Sequence, residues 1–137
     1  MAQTIHLEIV TPERKILETE VDRVEVPGLD GELGILPGHT DLISELKPAG
    51  LLTYHIGEER SQVAISDGFV EVSPERVTVL ADHASRPEDI DLTRALAMKE
   101  QAELQLQKGL SDPDVDLIHA STQLERAKIQ LQLVGKS

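Results

Sequence analysis

Residues 27–39 (PGLDGELGILPGH) hold four glycines and two prolines, a spacing that suggests either a phosphate-binding loop or a set of tight turns. Gly adopts backbone conformations with positive φ, whereas Pro fixes φ and removes a hydrogen-bond donor. A phosphate-binding P-loop needs a following Gly-Lys-Ser/Thr and a helix that starts there, and the sequence has neither. The segment is therefore predicted to form turns and very short strands at the rim of a β domain, and plain turns without a function of their own remain an alternative.

Glu32 and His39 are two of the polar side chains of this segment. Glu32 lies between closely spaced glycines, where a carboxylate on a rigid turn can pair with Arg or Lys of a partner. His39 begins the polar tip that follows. The alternative for Glu32 is a solvated turn acid.

The remaining residues do not form a catalytic or metal-binding pattern. The five histidines are scattered, without the HxH or HExxH spacing of a metal site. No Ser or Thr lies in a nucleophile elbow. We therefore expect no catalytic residue and no metal, and we do not expect an enzyme.

Composition limits the classes of partner. The formal net charge is −12, and residues 1–84 carry −10 of it, with 6 basic and 16 acidic side chains. An acidic surface argues against nucleic acid and anionic lipid, but it suits basic protein surfaces or simply solubility. Cysteine is absent, and the sequence has neither an 18-residue apolar run nor a secretory signal, so we expect no direct membrane insertion.

Alternation of apolar and polar residues predicts a β domain over residues 1–84. Turn signals separate short strands at the spacing of a sandwich or barrel, and turns are expected at residues 57–60, 66–68 and 73–76. About ten short strands are expected in total. Those outside residues 27–39 are 5–10, 15–18, 21–26, 42–46, 51–56, 62–65, 69–72 and 77–81.

The period changes to that of a helix in residues 85–137. Acids at residues 88–91 suit a helix N-terminus, and Gly109 is expected to end the helix after Lys108. Asp112 is expected to cap a second helix with Pro113 in its first position. The fold class is therefore α+β, an all-β sandwich followed by an antiparallel two-helix hairpin.

The hairpin is expected to need a partner. Two amphipathic helices with Ala-rich seams bury little apolar area, and isolated helices are marginal in water. The hairpin must lean on the β domain or on another protein. The sequence allows either a permanently docked hairpin or a hairpin that moves between two positions.

Several motifs resemble the ε subunit of bacterial F-type ATP synthases. They are the run PG-x-x-GELGILPGH, the hairpin DGFVEV at residues 67–72 and the strand VTVLAD at residues 77–82. The resemblance extends over essentially the whole chain. Asp67 stands where the family often has Gly, and Asp41 where it often has Pro.

The resemblance implies a non-catalytic stalk subunit. It implies that the sandwich binds the γ subunit and rests on the membrane-embedded c-ring, which would place the complex-bound chain at the cytoplasmic face of the plasma membrane. It also implies that the hairpin inhibits ATP hydrolysis when it extends along γ to the α/β subunits. The implied c-ring and γ contacts are Gly31, Glu32, Leu33, Gly34 and His39.

Residues 90–95 (IDLTRA) match a motif of the form [IL]-D-x-x-R-A through which some relatives bind ATP. The resemblance implies ATP as a regulatory ligand, with no cofactor required. The implied residues are Ile90, Asp91, Arg94, Ala95 and Arg126. Binders also tend to carry a second arginine four residues after the last of these, and Gln130 stands there. An Asp91–Arg94 salt bridge that only stabilises the helix is the alternative.

A second function from another class also fits these patterns. The chain could be a free-standing nucleotide-binding module in which the hairpin acts as a lid over the sandwich. Co-purification with γ would favour the stalk subunit, whereas monomeric behaviour with tight ligand binding would favour the module.

Overall fold

The computed structural model describes residues 3–135 and shows a β domain followed by two helices. A short 3₁₀ turn, Pro87–Asp89, joins the two parts. The strands and helices are β1 (Ile5–Val10), β2 (Lys15–Val21), β3 (Arg23–Gly28), β4 (Gly31–Ile35), β5 (Leu42–Glu45), β6 (Gly50–Ile56), β7 (Glu59–Ser73), β8 (Arg76–Ser85), α1 (Leu92–Lys108) and α2 (Leu117–Leu133).

The eight strands are hydrogen-bonded in the order β2-β1-β8-β7-β6-β3-β4, with β5 also paired to β7. The first half of β7 pairs with β6, and its second half lies between β5 and β8. One layer of the sandwich is therefore β2-β1-β8-β7-β5, and the other is β7-β6-β3-β4. All neighbours are antiparallel except β1 and β8, which run parallel.

The core lies between the layers and consists almost wholly of Val, Ile and Leu. Ile5, Leu7 and Ile9 alternate along β1 and are fully buried. They face the interior because successive side chains of a strand point to opposite faces. Tyr54 joins this core, whereas the single Phe of the chain, Phe69, lies on the outside.

The expected turn at residues 66–68 is wrong, and so is the expected number of about ten strands, since the described residues contain eight. Strand β7 continues through this point, and its register with β8 is the same on both sides. Asp67 adopts φ 55° and Gly68 φ 114° within the strand. Polar Ser-Asp-Gly suggests a turn, but here the same backbone freedom lets one long strand pass from one layer to the other.

The helices follow the expected order but differ in one cap. Helix α1 ends at Lys108 as predicted. The prediction that Asp112 and Pro113 open the second helix is wrong, because Asp116 caps α2 and accepts a hydrogen bond from His119 N–H. The Asp112 carboxylate instead accepts from Asp114 N–H at 2.9 Å, within the loop. Asp favours such local turns as readily as helix caps, so Asp112 alone does not fix where the second helix begins.

The hairpin lies against the sandwich mainly through α2, which contacts β6 and β7. Between the helices, Ala95 and Ala102 of α1 and Ala120 and Ala127 of α2 are buried. Each pair is seven residues apart, so small side chains repeat along one seam and let the backbones approach closely. Leu131 is the large fully buried side chain of the hairpin.

Candidate functional site

A cleft of about 410 Å³ lies between the sandwich and the hairpin. Of the residues named from the ATP motif, Ile90, Asp91, Arg94 and Arg126 line it, and so does Gln130. Ala95 is fully buried beneath this wall. Residues that are up to 40 positions apart in the sequence thus meet in one cavity.

Asp91 has a structural role in this cleft. It is the N-cap of α1, and its Oδ1 accepts from Arg94 N–H at 3.2 Å. No side-chain ion pair joins Asp91 to Arg94 in the described part of the chain, so the alternative of a helix-stabilising salt bridge between the two is wrong. The guanidinium of Arg94 is exposed and stays available to an anion.

Arg126 enters the cleft from α2. One of its terminal nitrogens lies 3.7 Å from a carboxylate oxygen of Asp67. Its Nε is buried and has no hydrogen-bond acceptor among the described residues. A buried donor without an acceptor costs about 1–3 kcal/mol, so this guanidinium can gain from a further anionic partner.

Sequence reasoning missed the sandwich side of the cleft. Arg14, in the β1–β2 turn, lines it and pairs with Asp89 at 3.4 Å. Ile16 and Met98 add apolar surface to the wall. No motif signals these residues, because they reach the cleft only once the hairpin folds back. Three guanidinium groups and four carboxylates thus line the cleft, and the guanidinium groups can bind an anion.

The loop residues named as c-ring and γ contacts lie outside the cleft. Gly31, Glu32, Leu33 and Gly34 belong to β4, where Glu32 is exposed and pairs across the ladder with Pro27. No ion pair to Glu32 occurs among residues 3–135. Its carboxylate is therefore free for a partner's cation.

His39 follows these four residues in the turn beyond β4, where its N–H donates to Leu36 C=O at 3.1 Å. That turn is held by Gly38 N–H, which donates to Pro74 C=O at 2.8 Å, and His39 Nδ1 lies 2.8 Å from Thr40 O. The predicted contact residues thus lie on β4 and in the turn that follows it.

The outer face of the β5-β7-β8 layer carries apolar side chains that the sequence did not single out. Phe69 and Leu80 are direct cross-strand partners, and Ile43 pairs with Glu71 on the same face. Their exposed fractions are 51%, 48% and 68%. Neighbouring large apolar side chains exposed on one sheet face are typical of a protein interaction surface.

A second charged cluster lies on the outer face of β1 and β2. His6 contacts Glu18 through Nε2 and Glu20 through Nδ1, both at 2.7 Å. These hydrogen bonds raise the pKa of His6. Hydrogen bonds from Lys15 and then His6 lower the pKa of Glu18 to about 2. The cluster ties the edge strand β2 to the sheet.

Comparison with known families covers both parts of the fold. The family "ATP synthase, Delta/Epsilon chain, beta-sandwich domain" matches residues 4–87, and "ATP synthase, Delta/Epsilon chain, long alpha-helix domain" matches residues 88–135. The chain belongs to the delta/epsilon family of ATP synthase subunits. The resemblance expected from the GELGILPGH run is confirmed.

Individual relatives agree with the family. The ATP synthase epsilon chain of Desulforamulus reducens is 48% identical over 114 residues, covering 83% of this chain and 86% of the relative. The epsilon chain of Desulfosudis oleivorans is 44% identical over 109 residues, covering 80% and 82%. The expected order of a β-sandwich and a helical hairpin is confirmed.

Solved structures show the same architecture. A chain of the Euglena gracilis mitochondrial ATP synthase, from a cryo-EM structure of OSCP, F1 and c-ring, superposes with a TM-score of 0.78 at 27% identity, covering 94% of this chain and 79% of that one. A chain from the central stalk and c-ring of Tetrahymena thermophila mitochondrial ATP synthase shares the fold at 16% identity, with a TM-score of 0.55 and coverage of 98% and 96%.

Membership of the delta/epsilon family makes this chain a non-catalytic subunit of the ATP synthase, a membrane-associated complex. Among residues 3–135, neither helix is long and apolar enough to cross a membrane.

Proposed function

We propose that this subunit works in the central stalk, where it links the γ subunit to the c-ring, and that its hairpin controls ATP hydrolysis with ATP as the ligand of the cleft. The observation that carries the proposal is the cleft itself, where both hairpin helices contribute cationic side chains next to the sandwich. The complex would place the subunit at the cytoplasmic face of the plasma membrane.

Two surfaces support the coupling role. The apolar face of Ile43, Phe69 and Leu80 suits a stable protein partner, which we assign to γ. The exposed Glu32 suits a polar loop of the c-ring that carries Arg or Lys. Because Glu32 is a strand residue rather than a mobile loop residue, its carboxylate is presented from a rigid element.

The regulatory role follows from how the hairpin is held. It rests on the sandwich mainly through one helix, and its seam is built from alanines that bury little area each. A second position, extended along γ to the α/β subunits, can therefore compete within a few kcal/mol. We propose that the docked position permits hydrolysis and the extended position blocks it.

ATP would favour the docked position. Arg94 and Arg126 come from different helices, and only the docked hairpin places them beside Arg14 of the sandwich. A ligand that binds one state shifts the equilibrium toward it, by about 2.7 kcal/mol at a hundredfold excess over its dissociation constant.

A hydrolysis assay of the reconstituted complex tests the regulatory role. The chain shortened after Arg86 retains all of β8 and lacks both helices. We expect this complex to hydrolyse ATP faster than the complex with the full chain. An unchanged rate would eliminate the inhibitory hairpin.

Calorimetric titration of the full chain with ATP tests the ligand. Arg94→Gln removes a guanidinium that makes no ion pair among the described residues, so the variant should fold normally and lose affinity. Lys99→Gln removes a charge of the same sign from the same helix, outside the cleft, and should bind like the parent. Equal affinities of the two variants would place the nucleotide elsewhere. If ATP binds the free chain tightly but the chain neither co-purifies with γ nor affects hydrolysis, the free-standing nucleotide module is correct instead.

A further inference from the structure

Asp67 reaches across from the sandwich to the hairpin. It lies in the middle of β7, in the left-handed region at φ 55°, the one such non-glycine residue in the described part of the chain. Its N–H donates to Lys47 C=O at 3.0 Å, which fixes this backbone. The carboxylate then lies 3.7 Å from the Arg126 guanidinium of α2. An uncommon conformation thus aims a sandwich carboxylate at a hairpin cation.

The pair leaves Arg126 incompletely satisfied. The side chain of Arg126 is 17% exposed and that of Asp67 is 41% exposed, so the cation is the more buried partner. The Nε–H of Arg126 has no acceptor. Asp67 therefore contacts this guanidinium through one terminal nitrogen. It does not make the two parallel hydrogen bonds of a strong arginine–carboxylate pair.

Two of the four carboxylates that line the cleft are occupied elsewhere. Asp89 pairs with Arg14, and Asp91 caps α1. Within residues 3–135, Asp67 is the carboxylate within ion-pair distance of Arg126. A polyphosphate that reaches this guanidinium must share it with Asp67 or displace it.

We propose that Asp67 is an internal competitor for the polyphosphate chain of the nucleotide. In the free protein its carboxylate holds Arg126, and polyphosphate binding displaces it. Asp67 thereby lowers the affinity of the cleft for the nucleotide and helps to hold the hairpin on the sandwich without ligand. The inference rests on the proposed nucleotide cleft and names the residue that sets its affinity.

The test is a double-mutant cycle read by ATP binding to the full chain. Asp67→Asn keeps the size of the side chain, and Asn also tolerates the left-handed conformation. We expect it to tighten ATP binding about two- to fivefold, the range for a partly exposed ion pair. In an Arg126→Gln background the same change should have almost no effect, because the competition acts through Arg126.

Asp82→Asn is the matched control. Asp82 lines the cleft that Arg126 also lines, and it makes no ion pair among the described residues, so its loss reports only long-range charge, which salt screens. The proposal would be overturned if Asp67→Asn and Asp82→Asn raised the affinity for ATP equally. It would also be overturned if Asp67→Asn raised that affinity equally with Arg126 present and with Arg126→Gln. ATP binding that Asp67→Asn leaves unchanged or weakens would overturn it while the nucleotide cleft stands.

Inorganic tripolyphosphate, titrated in parallel, separates the two claims. If tripolyphosphate binds Asp67→Asn more tightly than it binds the parent, the competition at Arg126 is supported. If ATP then binds no more tightly than tripolyphosphate, the nucleotide site is rejected. No binding of either compound to any variant would overturn both.

Discussion

Replacing Gly68 by Ala should destabilise the sandwich more than the same change at any other described glycine with positive φ. Gly68 has φ 114°, a conformation that costs a residue with a Cβ about 1–3 kcal/mol. A Cβ there would also overlap the carbonyl oxygen of Leu80 and lie 2.9 Å from the Cα of Ala81. Both obstacles are backbone of β8, so the strand must move, at about 1–3 kcal/mol for overpacking. The sum, about 2–6 kcal/mol, is a large part of the total stability of about 5–15 kcal/mol that is usual for a domain.

Gly57→Ala is the matched control for this change. Gly57 also has positive φ, 60°, but no atom lies within 4 Å of the added Cβ. Its cost should be conformational alone, about 1–2 kcal/mol. Urea unfolding followed by circular dichroism measures both variants. If Gly68→Ala loses no more stability than Gly57→Ala, the tight packing of β7 against β8 at Gly68 is refuted.

Three further changes test other parts of the structure. Ala127→Leu adds volume to a fully buried point of the helix seam and should cost about 1–3 kcal/mol in thermal unfolding; unchanged stability would mean that the helices are not closely packed. Phe69→Asp, on the exposed face, should leave stability nearly unchanged but weaken co-purification with γ, and normal co-purification would move the interface elsewhere. Because the pKa of His6 is raised in the folded protein, the protonated imidazole stabilises the fold. This contribution is fully present below the ordinary His pKa of about 6.5 and is lost as the pH rises through the raised pKa. Stability of the parent should therefore fall toward that of His6→Gln across this range in urea titrations, whereas parallel curves would show that the Glu18 contact is weak.

Much of the fold could be predicted because local patterns and tertiary structure agree. The alternation in β1 and the seven-residue spacing of alanines in the helices each correspond to a buried face. Prediction failed where one residue type serves two purposes. Ser-Asp-Gly at residues 66–68 bends a strand instead of ending it, and Asp112 makes a local turn instead of a helix cap.

The candidate site was predictable only in part. A local motif identified Asp91 and Arg94, since both lie within one helical turn. Arg14 and Asp67 come from the sandwich, and nothing in their local sequence shows that the hairpin will fold back onto them. The sequence also did not predict the exposed apolar face of Phe69 and Leu80. Alternation of apolar and polar residues does not show which face of a strand will be covered.

The strand that leads into the hairpin is not at the edge of its layer. Strand β8 lies between β1 and β7, and its pairing with β7 continues to Ser85, immediately before the connecting turn. Force applied along β8 through the hairpin would load the ladder with β7 first and the ladder with β1, at Arg76–Leu80, after it, in shear rather than by peeling one bond at a time. The sandwich can thus serve as a firm mechanical anchor while the helices beyond it change position.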